Sequence, residues 1–185
     1  RSVRYSMEIN KQGVLDVIRA YQAGKTEAEL MGVAEKTFAT AGCSRKTMNM
    51  VLMGPNGSLR PQMVFASQRP LQDSDCMLYG LEIASEGGHW VEFSRPLAPN
   101  GLDPIQSEMM QAYQEFHGHS IGMTMIEMPR IGEGFDFVLP ENMVCSMHPH
   151  FMNPERTHSL YFQETYRVGR DRGEPLSGVP IKVYQ

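Results

Sequence analysis

The chain has 185 residues, 41% hydrophobic and 21% charged, which is enough apolar material for one domain with a substantial core. Seventeen basic against 21 acidic residues give a net charge of −4 with no basic stripe, so nucleic acid is not an expected partner. No apolar run approaches membrane-spanning length and no signal region follows Arg1, so the expectation is a cytoplasmic chain without membrane contact. Cys43, Cys76 and Cys145 are odd in number and lack Cys-x-x-Cys spacing, which points to buried thiols rather than disulfides or a zinc knuckle.

In chain order, Val14, Leu15, Val17, Ile18 and Tyr21 fall at helical spacing. Thr26-Glu27-Ala28-Glu29 is a capping box that predicts a second helix, with Leu30, Val33, Ala34, Thr37, Phe38 and Ala41 on its apolar face and Gly42 at its end. Short runs rich in Val, Leu, Met and aromatic residues follow, punctuated by Gly and Pro. Met48 to Met53, Cys76 to Ala84 and His89 to Ser94 read as strands, the last two joined in a hairpin through Ser85-Glu86-Gly87-Gly88. A short helix is predicted from Ser107, as its cap, to Phe116, then strands over Ser120 to Ile126, Met143 to Phe151 and Ser159 to Val168. Helices first and a mostly antiparallel sheet afterwards is an α+β layout.

Two histidine clusters stand out, His117-Gly118-His119-Ser120-Ile121-Gly122 and Met147-His148-Pro149-His150. A histidine flanked by small residues on a strand suits a metal or a substrate anion, although a core histidine bonded to a carbonyl satisfies the same pattern. On a regular strand, His148 and His150 would point to one side about 7 Å apart, which makes His150 a candidate acid or base beside a ligand. By the same alternation His89 faces away from Glu92, and His158, in the polar stretch after Asn153, is expected to be solvated.

Taken in order, the capped helix, Gly54-Pro55-Asn56, Arg69-Pro70-Leu71, Gly88-His89-Trp90-Val91-Glu92-Phe93-Ser94-Arg95, Gly118-His119-Ser120-Ile121-Gly122, Glu127-Met128-Pro129-Arg130, Glu141-Asn142-Met143-Val144 and Ser146-Met147-His148-Pro149 resemble the pita-bread catalytic domain. That family contains methionine aminopeptidase, aminopeptidase P, prolidase and creatinase. The resemblance spans nearly all of 1–185 and implies one domain with a curved antiparallel sheet flanked by helices. It also implies a helical segment missing near Phe116 and the absence of the N-terminal domain of prolidase and creatinase.

The resemblance implies a site as well. The family's peptidases hold two divalent ions with two aspartates, a histidine and two glutamates. Eleven residues before Glu92, which matches the second aspartate, the first falls on Leu81, where no ligand is available. The histidine is His119, the first glutamate falls on His148 and the last on Gln163, followed by Glu164 and Thr165. Two doubly charged ions ~3.5 Å apart repel by roughly 19 kcal/mol at an effective dielectric of about 20. With Glu92 as the one matched carboxylate, a dinuclear site is not expected. A single iron, manganese or zinc ion on Glu92, His119 and His148, with Gln163 as a weak fourth group, fits the ligand preferences of such ions. The alternative implied by creatinase is a site without metal.

The peptidases' two proton-transfer histidines fall near Gln62 and on Ile126, so peptide cleavage is not expected. His150 is the candidate replacement and Glu127 keeps the family's acidic residue in a catalytic or orienting role, while His119 and Glu164 are expected to touch substrate. The implied function is an enzyme, hydrolase or lyase, that cleaves a C–N or C–heteroatom bond in a small polar nitrogen- or sulfur-containing molecule, as a homodimer. An inactive module that binds a peptide or protein is the second reading.

Overall fold

A computed structural model describes residues 2–43, 45–46, 50–55, 64–111, 118–123, 125–132 and 134–185. Helix α1 (Ser2–Ala20) begins well before the apolar residues that predicted it and buries Met7, Ile9, Val14 and Val17. Helix α2 (Glu27–Thr40) starts at the expected capping box. Thr26 Oγ1 accepts the Glu29 N–H at 3.1 Å, and the Glu29 carboxylate accepts the Thr26 N–H at 2.8 Å. The two helices meet closely because Gly13 carries no side chain; a Cβ there would lie 2.4 Å from the Phe38 ring.

Six short strands follow: β1 (Arg45–Lys46), β2 (Met50–Pro55), β3 (Val64–Phe65), β4 (Asp75–Gly80), β5 (Glu82–Ala84) and β6 (Trp90–Glu92). They form two antiparallel sheets, β3-β2-β4 and β1-β5-β6. The run expected as one strand from Cys76 to Ala84 is therefore two, and the chain changes sheet at Leu81. The β5–β6 hairpin pairs Glu82 with Glu92, Ile83 with Val91 and Ala84 with Trp90. Leu81, Ile83, Val91 and Phe93 join Val14, Val17, Leu30 and Phe38 in the main core. Alternation then sends Glu82 and Glu92 to the opposite face, away from the helices.

Helix α3 (Pro104–Gln111) starts before the expected cap. Asp103 Oδ1 accepts the Gln106 N–H at 2.8 Å and Pro104 takes the first helical position, so Ser107 lies inside the helix. The expected end at Phe116 and the segment inferred to be missing there lie outside the described residues.

The second half holds β7 (Gly118–Ser120), β8 (Glu127–Ile131), β9 (Val144–Met147), β10 (His150–Met152), β11 (Ser159–Tyr161), β12 (Glu164–Val168) and β13 (Gly173–Pro175). Five of these form an antiparallel sheet in the order β13-β12-β9-β7-β8, and β10 pairs with β11. Each of the two long strands expected here is divided, at His148-Pro149 and at Phe162-Gln163. The strand expected over Ser120 to Ile126 is also corrected: β7 stops at Ser120, and its partner β8 starts at Glu127, with Pro129 on the edge strand of the sheet. Gly118 permits β7 to approach β9, since a Cβ there would lie 2.1 Å from the Ser146 carbonyl oxygen. The architecture is the expected α+β arrangement, with the polar faces of the two halves turned toward each other.

Candidate metal centre

Register builds the site. His119 pairs with Ser146 across β7–β9, and Ser146 pairs with Thr165 across β9–β12, so the three side chains share one face of the sheet. Glu92, arriving from β6, is gripped by that row. Thr165 Oγ1 accepts the Glu92 N–H at 2.9 Å and donates to the Glu92 carbonyl at 3.0 Å, while Ser146 Oγ donates to Glu92 Oε2. The other carboxylate oxygen, Oε1, lies 3.4 Å from His119 Nε2. His148 sits just beyond β9, its ring centroid 4.9 Å from that of His119. One ligand atom from each of Glu92, His119 and His148 lies within 4.8 Å of the others.

The hydrogen bonds prepare these groups for a cation. His119 Nδ1 lies 2.9 Å from the Ser120 carbonyl, which can only accept, so the Nδ1 of the neutral ring carries the proton and Nε2 presents its lone pair toward Glu92. Burial lowers the His119 pKa and Arg130, its cross-strand neighbour on β8, adds to the effect, against the Ser120 carbonyl. The ring is thus kept neutral, the form that binds metal. Burial, followed by the nearby charge of Glu82, pushes the Glu92 carboxyl well above the usual range, while hydrogen bonds from Ser146 and Gln163 oppose the rise. A cation beside the carboxylate offsets both the burial and the neighbouring charge that raise its pKa, so the donor set fits a divalent ion.

Glu82 is the residue that counting along the sequence missed. Leu81 is fully buried under the helices, as an apolar residue should be, but its neighbour Glu82 stands directly across from Glu92. The expectation of one carboxylate is therefore corrected to two. Gln163 Nε2 donates to Glu82 Oε1 at 3.1 Å and to Glu92 Oε2 at 3.3 Å, and its Oε1 accepts the Leu81 N–H at 3.0 Å. The ligand-type atom of Gln163, Oε1, is thus engaged with the backbone, and it is the NH₂ that faces the carboxylates.

The remaining candidates lie elsewhere. Glu164 falls on the face of β12 opposite to Thr165, where it forms a fully buried ion pair with Arg95 (2.6 Å) and accepts from the Ser177 hydroxyl and N–H. Glu127 pairs with Ser120 rather than His119, its carboxylate against Gly122. His150 is exposed and belongs to another sheet than β9, because the strand is interrupted at His148-Pro149; its ring meets Tyr161 edge-on with centroids 5.9 Å apart. Ile126 is 47% exposed, and Gln62 and His117 lie outside the described residues. His158, expected in solvent, is half-buried and pairs with Asp103 at 3.0 Å. Ser146 and Thr165 carry no signal of a role in the sequence, since hydroxyl residues on a strand gain one only through register.

No family profile matches the chain, and no curated protein is similar to it in sequence. Solved structures are similar in fold. A dipeptidase from Mycobacterium ulcerans superimposes with a TM-score of 0.84 at 18% identity over 99% of this chain and 59% of its own. An X-Pro aminopeptidase from Thermotoga maritima gives 0.82 at 19% identity over 99% and 62%. The prolidase from Pyrococcus horikoshii gives 0.85 at 16% identity over 98% and 62%. The chain thus spans about three-fifths of the length of the structures it matches, and across that span it has the pita-bread fold of the prolidases and aminopeptidases P.

Proposed function

We propose that the chain is a pita-bread hydrolase or lyase that cleaves a C–N or C–heteroatom bond in a small polar nitrogen- or sulfur-containing molecule, with one transition-metal ion on Glu92, His119 and His148. The observation that carries this reading is the convergence of those three donors, from separate parts of the chain, within 4.8 Å. Two imidazoles and one carboxylate leave coordination positions for substrate and water on iron(II), manganese or zinc. When bound, such an ion polarises a substrate oxygen or lowers the pKa of a water. The chain's own part is to hold the donors: Ser120 fixes the His119 tautomer, and Ser146 and Thr165 fix Glu92.

Peptide cleavage is not part of the proposal, because exposed, apolar Ile126 stands where the resemblance places a proton-transfer histidine. A panel of Xaa-Pro and N-terminal methionine peptides should show no appreciable turnover with added manganese or cobalt. His150 is kept as the proposed proton carrier from its place two residues after His148, although its exposed ring meets Tyr161 and not the three donors. His150→Gln should then leave metal content intact and lower turnover of the eventual substrate by about 10²-fold; unchanged turnover would assign His150 to packing.

Elemental analysis of protein purified without a histidine tag tests the centre itself. The expected result is one ion per chain, lost in His119→Ala and in His148→Ala. Two ions per chain, or undiminished content in both variants, would overturn it. No ion at all would favour a metal-free hydrolase of the creatinase kind.

A further inference from the structure

Glu92 turns its two oxygens to different neighbours. Oε1 looks toward His119 Nε2 at 3.4 Å, whereas Oε2 is bonded by Ser146 Oγ and, at 3.3 Å, by Gln163 Nε2. The same nitrogen donates to Glu82 Oε1 at 3.1 Å. Two carboxylates that are 1% and 7% exposed thus converge on a single nitrogen. Like charges in so dry a place repel strongly unless something of opposite sign stands between them.

The amide cannot be turned around. Its oxygen accepts the Leu81 N–H at 3.0 Å, and reversal would set NH₂ against that N–H and oxygen against both carboxylates. Gly80 leaves space for the group, since a Cβ there would lie 3.2 Å from Gln163 Oε1 and 3.3 Å from Nε2. Gln163 is wholly buried and held, by the Leu81 N–H on one side and the two carboxylates on the other, in the orientation that presents positive partial charge to both carboxylates.

We infer that Gln163 is a positioning residue whose NH₂ group occupies the cation position between Glu82 and Glu92, and that this amide restricts the centre to the one ion on its histidine side. The inference builds on the proposed function but concerns the opposite flank of Glu92. It predicts a latent second site: with a carboxylate at 163, three acidic groups would converge where the amide nitrogen now lies, a donor set suited to a divalent ion.

The experiment compares metal content of the wild type, Gln163→Glu and the double variant Glu82→Gln/Gln163→Glu, each equilibrated with Mn(II). Q163E is expected to hold one ion more than the wild type and to show the electron paramagnetic resonance signature of two coupled Mn(II) ions, and the double variant is expected to lose the added ion. Equal content in Q163E and wild type would overturn the inference, as would an extra ion that persists without Glu82. No ion in the wild type with one in Q163E would refute the single-metal reading and uphold this one; one ion in each would do the reverse. Should Q163E fail to fold, Gln163→Met, similar in length but without donors, is expected to lower the melting temperature by about 2–4 °C or more, and an unchanged value would overturn the inference.

Discussion

The strands that carry the two carboxylates and the strands that carry the row His119, Ser146 and Thr165 are finished differently on their outer faces. Behind β5 and β6, Leu81, Ile83, Val91 and Phe93 are buried against α1 and α2 in one continuous core. Behind β9 and β12, Cys145, Met147, Tyr166 and Val168 border a hollow of about 340 Å³ with Leu139 and Gly173. In the loop that leads to β9, Phe135, Phe137 and Val138 are 54%, 52% and 87% exposed. Glu92 is thus positioned by apolar burial behind its strand and by the Ser146 and Thr165 hydroxyls in front of it. His119 is positioned from its own sheet, by strand pairing and by the Ser120 carbonyl. The difference teaches that stability and site geometry are partly separable: the helix-backed half should dominate unfolding, and the open half should tune what the centre holds.

The largest test of that division is a pair of truncations. Phe38→Ala, in the fully buried helix-side core, should cost about 3–5 kcal/mol in urea unfolding, whereas Phe137→Ser on the open side should stay within about 0.5 kcal/mol. Equal losses would break the comparison. Glu164→Gln sharpens it, because the open half does have one strongly held interior point. Weakening its fully buried pair with Arg95 should cost about 3 kcal/mol or more. If Glu164 instead contacted substrate, the change would appear in KM with stability preserved.

A smaller effect concerns pH in the metal-free protein. Since the folded-state pKa of Glu92 is raised above 4.5, the folded chain binds more protons than the unfolded one between 4.5 and the raised value, and this group's contribution to stability falls as pH rises through that window. His119, lowered from 6.5, contributes the opposite slope between its lowered value and 6.5. Glu92→Gln should flatten the first decline in denaturant titrations at successive pH values; an unaltered profile would show that Glu92 is not its source. Smallest is the α2 cap. Thr26→Ala should cost about 1 kcal/mol by removing the hydroxyl that accepts the Glu29 N–H, and a neutral result would assign the helix start to packing alone.

What could be read from the sequence was carried by local chemistry. The capping box of α2, the β5–β6 hairpin around Gly87-Gly88 and the ordered motifs through His119 and His148 need only neighbours in the chain to be recognised. Glu92, His119 and His148 were legible together because the motifs retain their order. Glu82 was not, because the count of eleven residues stops at Leu81, and a shift of one position on a strand exchanges the core face for the site face. Ser146 and Thr165 depended on the pairing of β7, β9 and β12, which long-range register alone supplies. The same holds for Gln163, whose residue type was visible as a candidate ligand. Its role rests on which amide atom meets Leu81 and which meets the two carboxylates. The sequence by itself determined the α+β layout and three of the donors, since periodicity, caps and motif order are local. Tertiary structure decided the second carboxylate, the place of Glu164 and the orientation of Gln163, because hydrogen bonds between distant strands set where a side chain points.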